Sequence, residues 1–226
     1  GLIVGDPNDE VHKALISLDC TEEVVDDAIA KGCDIIIAHH PIVFKGLKRF
    51  NNQNYVERTV IKAIKNNIAL YAIHTNLDNV FGGVSSKIAE KLNLTNTAIL
   101  SPKSGLLKKL SVYVPRTHVD EVRQALFDAG AGSIGDYDQC SYNTAGYGTF
   151  RPLSGADPAI GEVGKHERVE ETKIEVIFPQ QLERKVIVSM LAAHPYEEVA
   201  YHSIALENKF QYVGSGIIGN LDRPLD

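Results

Sequence analysis

At 226 residues the chain has room for one or two domains with interiors of their own. It carries 23 Lys and Arg against 29 Asp and Glu, a formal charge of −6, which argues against a general grip on nucleic acid, because that needs a basic face. Hydrophobic residues make up 44% and charged residues 23%, the balance of a folded chain and not of a disordered one.

No apolar run approaches the ~20 residues of a membrane helix, and the opening stretch lacks the basic and apolar regions of a signal peptide, so a cytoplasmic address and no membrane partner are expected. Cys20, Cys33 and Cys140 are too few and too scattered for a disulfide framework or a cysteine zinc site, and read as buried thiols. There is no initiator Met, and Gly1-Leu2-Ile3-Val4 reads like the middle of a strand or its approach. A fragment or processed form with an incomplete site is expected.

From Ala14 to Leu92 short apolar runs alternate with amphipathic stretches, the pattern of a parallel α/β sheet. Ala14–Leu18 is the first predicted strand. Thr21 is a plausible N-cap for a helix whose apolar face is Val24, Val25, Ala28 and Ile29 and which ends at Gly32. A second strand, Ile35–Ala38, runs directly into His39-His40-Pro41. Val56, Val60, Ile61 and Ile64 predict a helix that feeds the strand Ile68–Ile73, which runs into His74-Thr75-Asn76-Leu77-Asp78. A Gly82-Gly83 turn then precedes a short helix from Ser85 to Leu92, and Ser101–Gly105 has the composition of a linker.

Beyond that boundary come two similar halves. Lys109–Val114 and Thr172–Phe178 read as strands, each followed by a helix, the first ending at Gly130 and the second running from Leu182 to Leu191, and Glu198–Leu206 is again strand-like. This is the split βαβ, ferredoxin-like plan. Tyr147–Phe150 and the Gly/Pro-rich stretch through Gly164 predict a hairpin and an exposed loop, and Val213–Gly219 a strand returning to the first sheet. The fold class expected is α/β: a core with a parallel-rich sheet in residues 1–105, an inserted α+β domain in 106–208, and the start of the return segment in 209–226.

Ligands of open α/β sheets bind at the carboxyl ends of the strands. His39-His40 and His74 with Asp78 lie just past two such ends, and if the strands are neighbours, three imidazoles and a carboxylate share one rim. That donor set suits zinc, iron or manganese better than magnesium or calcium. Adjacent histidines at a strand end point in different directions, so His39 and His40 can serve different ions, and Asp78 can bridge two. The ligand count falls short of the five or six that a pair of ions needs, and a structural reading of each histidine stays open.

Elsewhere, His194-Pro195-Tyr196-Glu197-Glu198 is either a ligand patch or a helix stop with solvated acids, and the structural reading is preferred. His12, His118, His166 and His202 read as structural. Lys45, Lys48 and Arg49 either hold an anionic group or form a solvated loop. The chain is read as having no GxxxxGK[ST] or GxGxxG phosphate loop and no GxSxG nucleophile turn.

Four runs, Ile36–Pro41, His74–Asp78, His194–Tyr201 and Gly214–Gly219, together resemble the NIF-three-like family of dinuclear metal proteins, whose members are often labelled GTP cyclohydrolase type-two homologues. The resemblance spans essentially the whole chain. It implies a three-layer α/β core forming a toroidal hexamer, with an inserted domain similar to PII or CutA proteins supplying trimer contacts. It assigns two divalent ions, zinc first and iron or manganese next, to His39, His40 and the bridging Asp78, and matches His74 to a histidine lining the same cavity; His74 is then the expected catalytic residue, orienting a water or shuttling a proton. The family completes its site with a His and a Glu near the carboxyl terminus, and this chain ends at Asp226, before that segment. The implied function is metal-dependent hydrolysis of a nucleotide-type small molecule, such as opening of the GTP purine ring. The rival is a non-enzymatic scaffold whose insert senses a metabolite.

Overall fold

A computed structural model describes residues 1–223, and the last three residues of the expected return segment, 224–226, lie outside the described residues. The chain is mixed α/β and divides into two compact units: Gly1–Ser101 with the segment from Gly214 onward, and Pro102–Val213 between them.

The first unit opens with strands β1 (Leu2–Val4) and β2 (Ala14–Ser17), then helix α1 (Glu22–Lys31) and strand β3 (Ile35–Ala38). Helix α2 (Tyr55–Lys65), strand β4 (Ala69–Ala72) and helices α3 (His74–Asp78) and α4 (Val84–Lys91) follow. The sheet order is β1-β4-β3-β2. β2, β3 and β4 are parallel and in step, with Ser17 opposite Ala38 and Ala38 opposite Ala72, so the three carboxyl ends lie side by side; β1 runs antiparallel on β4. Ile36 and Leu70 are fully buried between Val25, Ala28 and Ala63, each burial contributing about 1.5–3 kcal/mol.

Capping fixes where the helices start. The Thr21 hydroxyl accepts from the Val24 N–H at 3.4 Å, and Gly32 ends α1 with a left-handed φ of 63°, a conformation that costs glycine little. Asn54 caps α2 by accepting from the Glu57 N–H at 2.9 Å, while the buried Glu57 carboxylate accepts from the N–H groups of Asn51 and Gln53 and from the Asn54 amide. Those donors favour the ionised form and hold Glu57 below the usual carboxylate range, led by the Gln53 N–H. The loop that follows His39 and His40 is thereby tied down at its far end.

In the second unit, β6 (Leu107–Pro115), α5 (Val119–Asp128), β7 (Tyr142–Phe150), β8 (Glu167–Pro179), α6 (Glu183–Ala193) and β9 (Tyr201–Leu206) form a β-α-β-β-α-β unit. Its sheet order is β7-β8-β6-β9, antiparallel throughout, which is the split βαβ topology. Alternate residues Leu110, Val112 and Val114 of β6 and Ile174, Val176 and Phe178 of β8 point to one face and pack on Val122, Leu126, Val186 and Met190 of the two helices.

Four sequence expectations change. Ser101–Lys103, read as linker, close a strand, β5 (Thr95–Lys103), which pairs with β10 (Phe210–Asn220) in a two-stranded sheet, so the segment Val213–Gly219 does not join the first sheet as expected. Its Thr-Asn-Thr start hides the alternation, and only Ile99 is buried. Gly214-Ser215-Gly216-Ile217-Ile218-Gly219 does spell GxGxxG, yet it lies inside β10 and opens no helix, so it cannot aim a helix N-terminus at a phosphate. Cys20 and Cys33 are buried thiols, but Cys140 is only partly covered because it follows an exposed turn.

Candidate functional site

The parallel register extends past the strand ends and builds a rim. The His39 N–H donates to Ser17 O at 3.1 Å and the His40 N–H to Leu18 O at 2.9 Å; on the other side the Ile73 N–H reaches Ala38 O and the His74 N–H reaches His39 O, both at 2.9 Å. The three segments leaving β2, β3 and β4 are therefore stitched together for two further residues, and the three imidazoles meet. Ring centroids are 4.9 Å apart for His39 and His40, 5.6 Å for His39 and His74, and 6.1 Å for His40 and His74.

His74 starts α3 with φ of 32°, a left-handed value that is uncommon for a residue with a side chain. One turn later α3 presents Asp78, whose Oδ1 lies 3.9 Å from His39 Nε2. The turn after α3 depends on Gly83, where an added Cβ would sit 1.9 Å from the Leu77 carbonyl oxygen. The structure thus brings His39, His40, His74 and Asp78 to one place, the last two on a short helix.

Two further contacts were not foreseen. Asp19, just past the end of β2, has its Oδ1 2.7 Å from His40 Nδ1, while its backbone oxygen accepts from the Ser17 hydroxyl at 2.7 Å. An ionised Asp19 fixes the proton on Nδ1 and leaves His40 Nε2 as the free lone pair, the role that carboxylates play behind metal-ligating histidines. The signal was in the sequence, since the rule that led to His39 and His74 applies equally to the residue following the first strand. Asn79, next to Asp78, receives the return strand: its backbone oxygen accepts from the Gly214 N–H at 2.7 Å and its Oδ1 from the Ser215 hydroxyl at 3.1 Å.

The donor set is imidazole nitrogen and carboxylate oxygen, which suits zinc, iron or manganese. Two donors on one tetrahedral zinc, each about 2.1 Å from it, lie about 3.4 Å apart. The His39–Asp78 separation is therefore about half an ångström wide of that spacing. As placed, the rings stand edge to face, and among the described residues no three His, Cys, Asp or Glu side chains close on a single point.

The other candidates fall elsewhere. His194 is buried in the second unit, with Nε2 3.0 Å from Tyr113 O and Nδ1 accepting from the Tyr196 N–H at 3.1 Å, so its nitrogens are spent on backbone. His12 stands among Glu10 and Asp34, His118 beside Thr117, and His202 against Tyr113. No helix among the described residues is long and apolar enough to cross a membrane.

The whole chain, residues 1–226, matches the profile of the Duf34/NIF3 (NGG1p interacting factor 3) family, and the chain belongs to that family. It is 45% identical over 222 residues to the Bacillus subtilis protein named GTP cyclohydrolase 1 type 2 homolog, which covers 98% of this chain and 60% of that protein. A Listeria monocytogenes protein of the same name is 41% identical over 227 residues, covering 100% of this chain and 61% of its own length. Among solved structures, a Bacillus cereus protein related to NIF3 superposes with a TM-score of 0.84 at 49% identity, covering 99% of this chain and 59% of that one. The chain thus spans about 60% of the length of the relatives it matches.

Proposed function

We propose that the rim is the amino-terminal share of a dinuclear metal site in a hydrolase acting on a nucleotide-type substrate, of the kind the relatives' name, GTP cyclohydrolase 1 type 2 homolog, suggests. The observation that carries it is the meeting of three imidazoles and Asp78 at adjoining carboxyl ends of parallel strands. His39, His40 and Asp78 would hold two divalent ions, zinc first and iron or manganese next, with the remaining ligands from the part of the longer relatives that this chain does not span. When bound, such ions supply Lewis acidity and make water a competent nucleophile near neutral pH.

The chain's own residues do the rest of the work. Asp19 holds the His40 ring with Nε2 free for a ligand bond. Asp78, reaching over from α3, sets its oxygens beside His39 so that one carboxylate can serve two positions. His74 makes no ring hydrogen bond among the described residues and stands over both other imidazoles, free to orient the attacking water or to carry its proton to the leaving group. In the same reading the protein is a cytoplasmic homohexamer with a three-layer core, and the second unit is a PII- or CutA-like insert giving trimer contacts.

The test is metal analysis of the full-length protein with His39→Ala and Asp78→Ala beside it, followed by a nucleotide panel with Zn²⁺, Mn²⁺ or Fe²⁺. Each substitution is expected to remove most of the bound metal and the turnover. Full metal occupancy without turnover of any nucleotide would sink the hydrolase and leave the second reading, a metabolite-sensing scaffold, which the cavity of the second unit favours.

A further inference from the structure

The second unit contains a cavity of about 630 Å³, within the range of small-molecule sites, and its walls are largely apolar. They come from the end of β7, from the loop 151–160 and from the His194–Glu198 motif, which the metal reading leaves unused.

His194 explains how that motif becomes a wall. Its Nδ1 accepts from the Tyr196 N–H, so the proton sits on Nε2 and is donated to the Tyr113 carbonyl. The neutral ring, locked at both nitrogens, sets Tyr196 edge-on to Phe150 with centroids 6.0 Å apart. The Tyr196 hydroxyl donates to Glu171 Oε1 at 3.0 Å. On the opposite side Glu197 Oε1 accepts from the Asp157 N–H at 3.0 Å and ties the loop to the motif as a cover.

One carboxylate is built into this apolar wall by design of the backbone. Glu171 packs over Gly148, where a Cβ would come within 2.3 Å of its Oε2, so glycine is required for the acid to lie there. Glu197 and Glu198 bring the lining to three carboxylates, against a single guanidinium from Arg151. Of the nearby cations, Lys109 and Lys173 pair with Glu175 and Arg116 with Glu170, while Arg168 lies over the Tyr147 ring at 3.8 Å and already takes that aromatic face. A negatively charged lining with aromatic faces selects for cations, since rings attract them through their quadrupole and a half-desolvated carboxylate pairs with them.

We propose that this cavity binds a small organic cation, an ammonium group carried on an aromatic or alkyl body, with Glu171 pairing the charge and Phe150 and Tyr196 covering the body. The site stands independently of the metal rim.

The chain has no tryptophan, so the fluorescence of an indole probe reports binding without background from the protein. Tryptamine titrated into the intact chain is expected to bind saturably at one per chain, with indole-3-propionate, of similar body and opposite charge, at least tenfold weaker. Glu171→Gln is expected to abolish that preference while its far-ultraviolet circular dichroism stays that of the parent. Leu153→Ala, on the exposed side of the cavity, should weaken both probes alike by a fewfold and so report the apolar contribution separately. No saturable tryptamine binding at millimolar concentration, equal binding of the two probes, or a preference that survives Glu171→Gln would overturn the proposal.

Discussion

Replacing His194 with alanine should destabilise the second unit through two orphaned backbone groups. His194 is 7% exposed, and its ring satisfies the Tyr113 carbonyl and the Tyr196 N–H, which lie 81 and two residues away in sequence. Leaving a buried donor or acceptor without a partner costs about 1–3 kcal/mol, so the pair together costs about 3 kcal/mol once some water reaches the cavity side. For a chain of this size, at about 2–4 °C per kcal/mol, the melting temperature should fall by roughly 6–12 °C. The effect has a pH signature. Burial pushes the His194 imidazole below its ordinary value, and the neighbouring His118 adds to this, while the Tyr113 carbonyl and Glu171 oppose it without reversing it. The unfolded chain then binds a proton at higher pH than the folded one does, so His194 contributes stability that is complete above about pH 6.5 and is lost as pH falls below it. Melts followed by circular dichroism at pH 8, 6.5 and 5 should show the parent losing stability on acidification more steeply than His194→Ala. A variant within 2 °C of the parent at pH 8, or one with the parent's pH dependence, would refute the reasoning.

Asp19→Asn should leave the fold intact and weaken metal binding by about 10–100-fold, read by competition with a chromogenic chelator in the full-length protein, because the amide no longer fixes the His40 tautomer. Gly83→Ala should cost 2 kcal/mol or more in chemical denaturation, roughly the penalty of a forced backbone shift, since its Cβ would meet the Leu77 oxygen at 1.9 Å. Glu175, held by Lys109, Lys173 and Ser111 at about 2, contributes stability that is present above its ordinary carboxylate range and drains away between about pH 4.5 and 2. Discounted for its partial contact with solvent, that contribution is about 1 kcal/mol, and the acid limb of the stability curve should flatten in Glu175→Gln. Burial pushes the Cys20 thiol up to about 11, so at pH 8 iodoacetamide should modify the partly covered Cys140 well before Cys20 in the folded chain.

How much of this was legible in the sequence depends on where the signal is local. The parallel sheet announced itself because Ile35–Ala38 and Ala69–Ala72 are short apolar runs bounded by caps and turns, and Thr21 and Gly32 mark α1 at both ends. Strand β5 did not, because its polar start, Thr95-Asn96-Thr97, masks the alternation and its partner lies more than a hundred residues on, so its pairing is invisible to any window. His39, His40, His74 and Asp78 were found because one topological rule marks strand ends. Asp19 obeys the same rule, one residue past the predicted strand Ala14–Leu18, but a lone carboxylate there lacks the paired imidazoles that mark the other two strand ends. Helix α3 was hidden for a different reason: His74-Thr75-Asn76 are poor helix formers, and the turn exists because β4 and the Gly82-Gly83 corner leave it nowhere else to go.

The return strand gives the rim a property that no single loop could. Asn79 follows Asp78 directly, and its backbone and side chain are both taken by Gly214 and Ser215, from beyond the second unit. Its amide also donates to Thr75 O within α3, so one residue clamps the helix that presents His74 and Asp78 to the strand that resumes the first unit. Asp78 therefore takes its place only when the polypeptide on both sides of the second unit has folded together. A long insertion costs little in closure entropy once its ends are pinned, because that cost grows only with the logarithm of loop length. The pinning is done by β5 and β10 and by this clamp, so the rim, whose proposed residues all precede Asn79, is expected to respond to a substitution at Ser215.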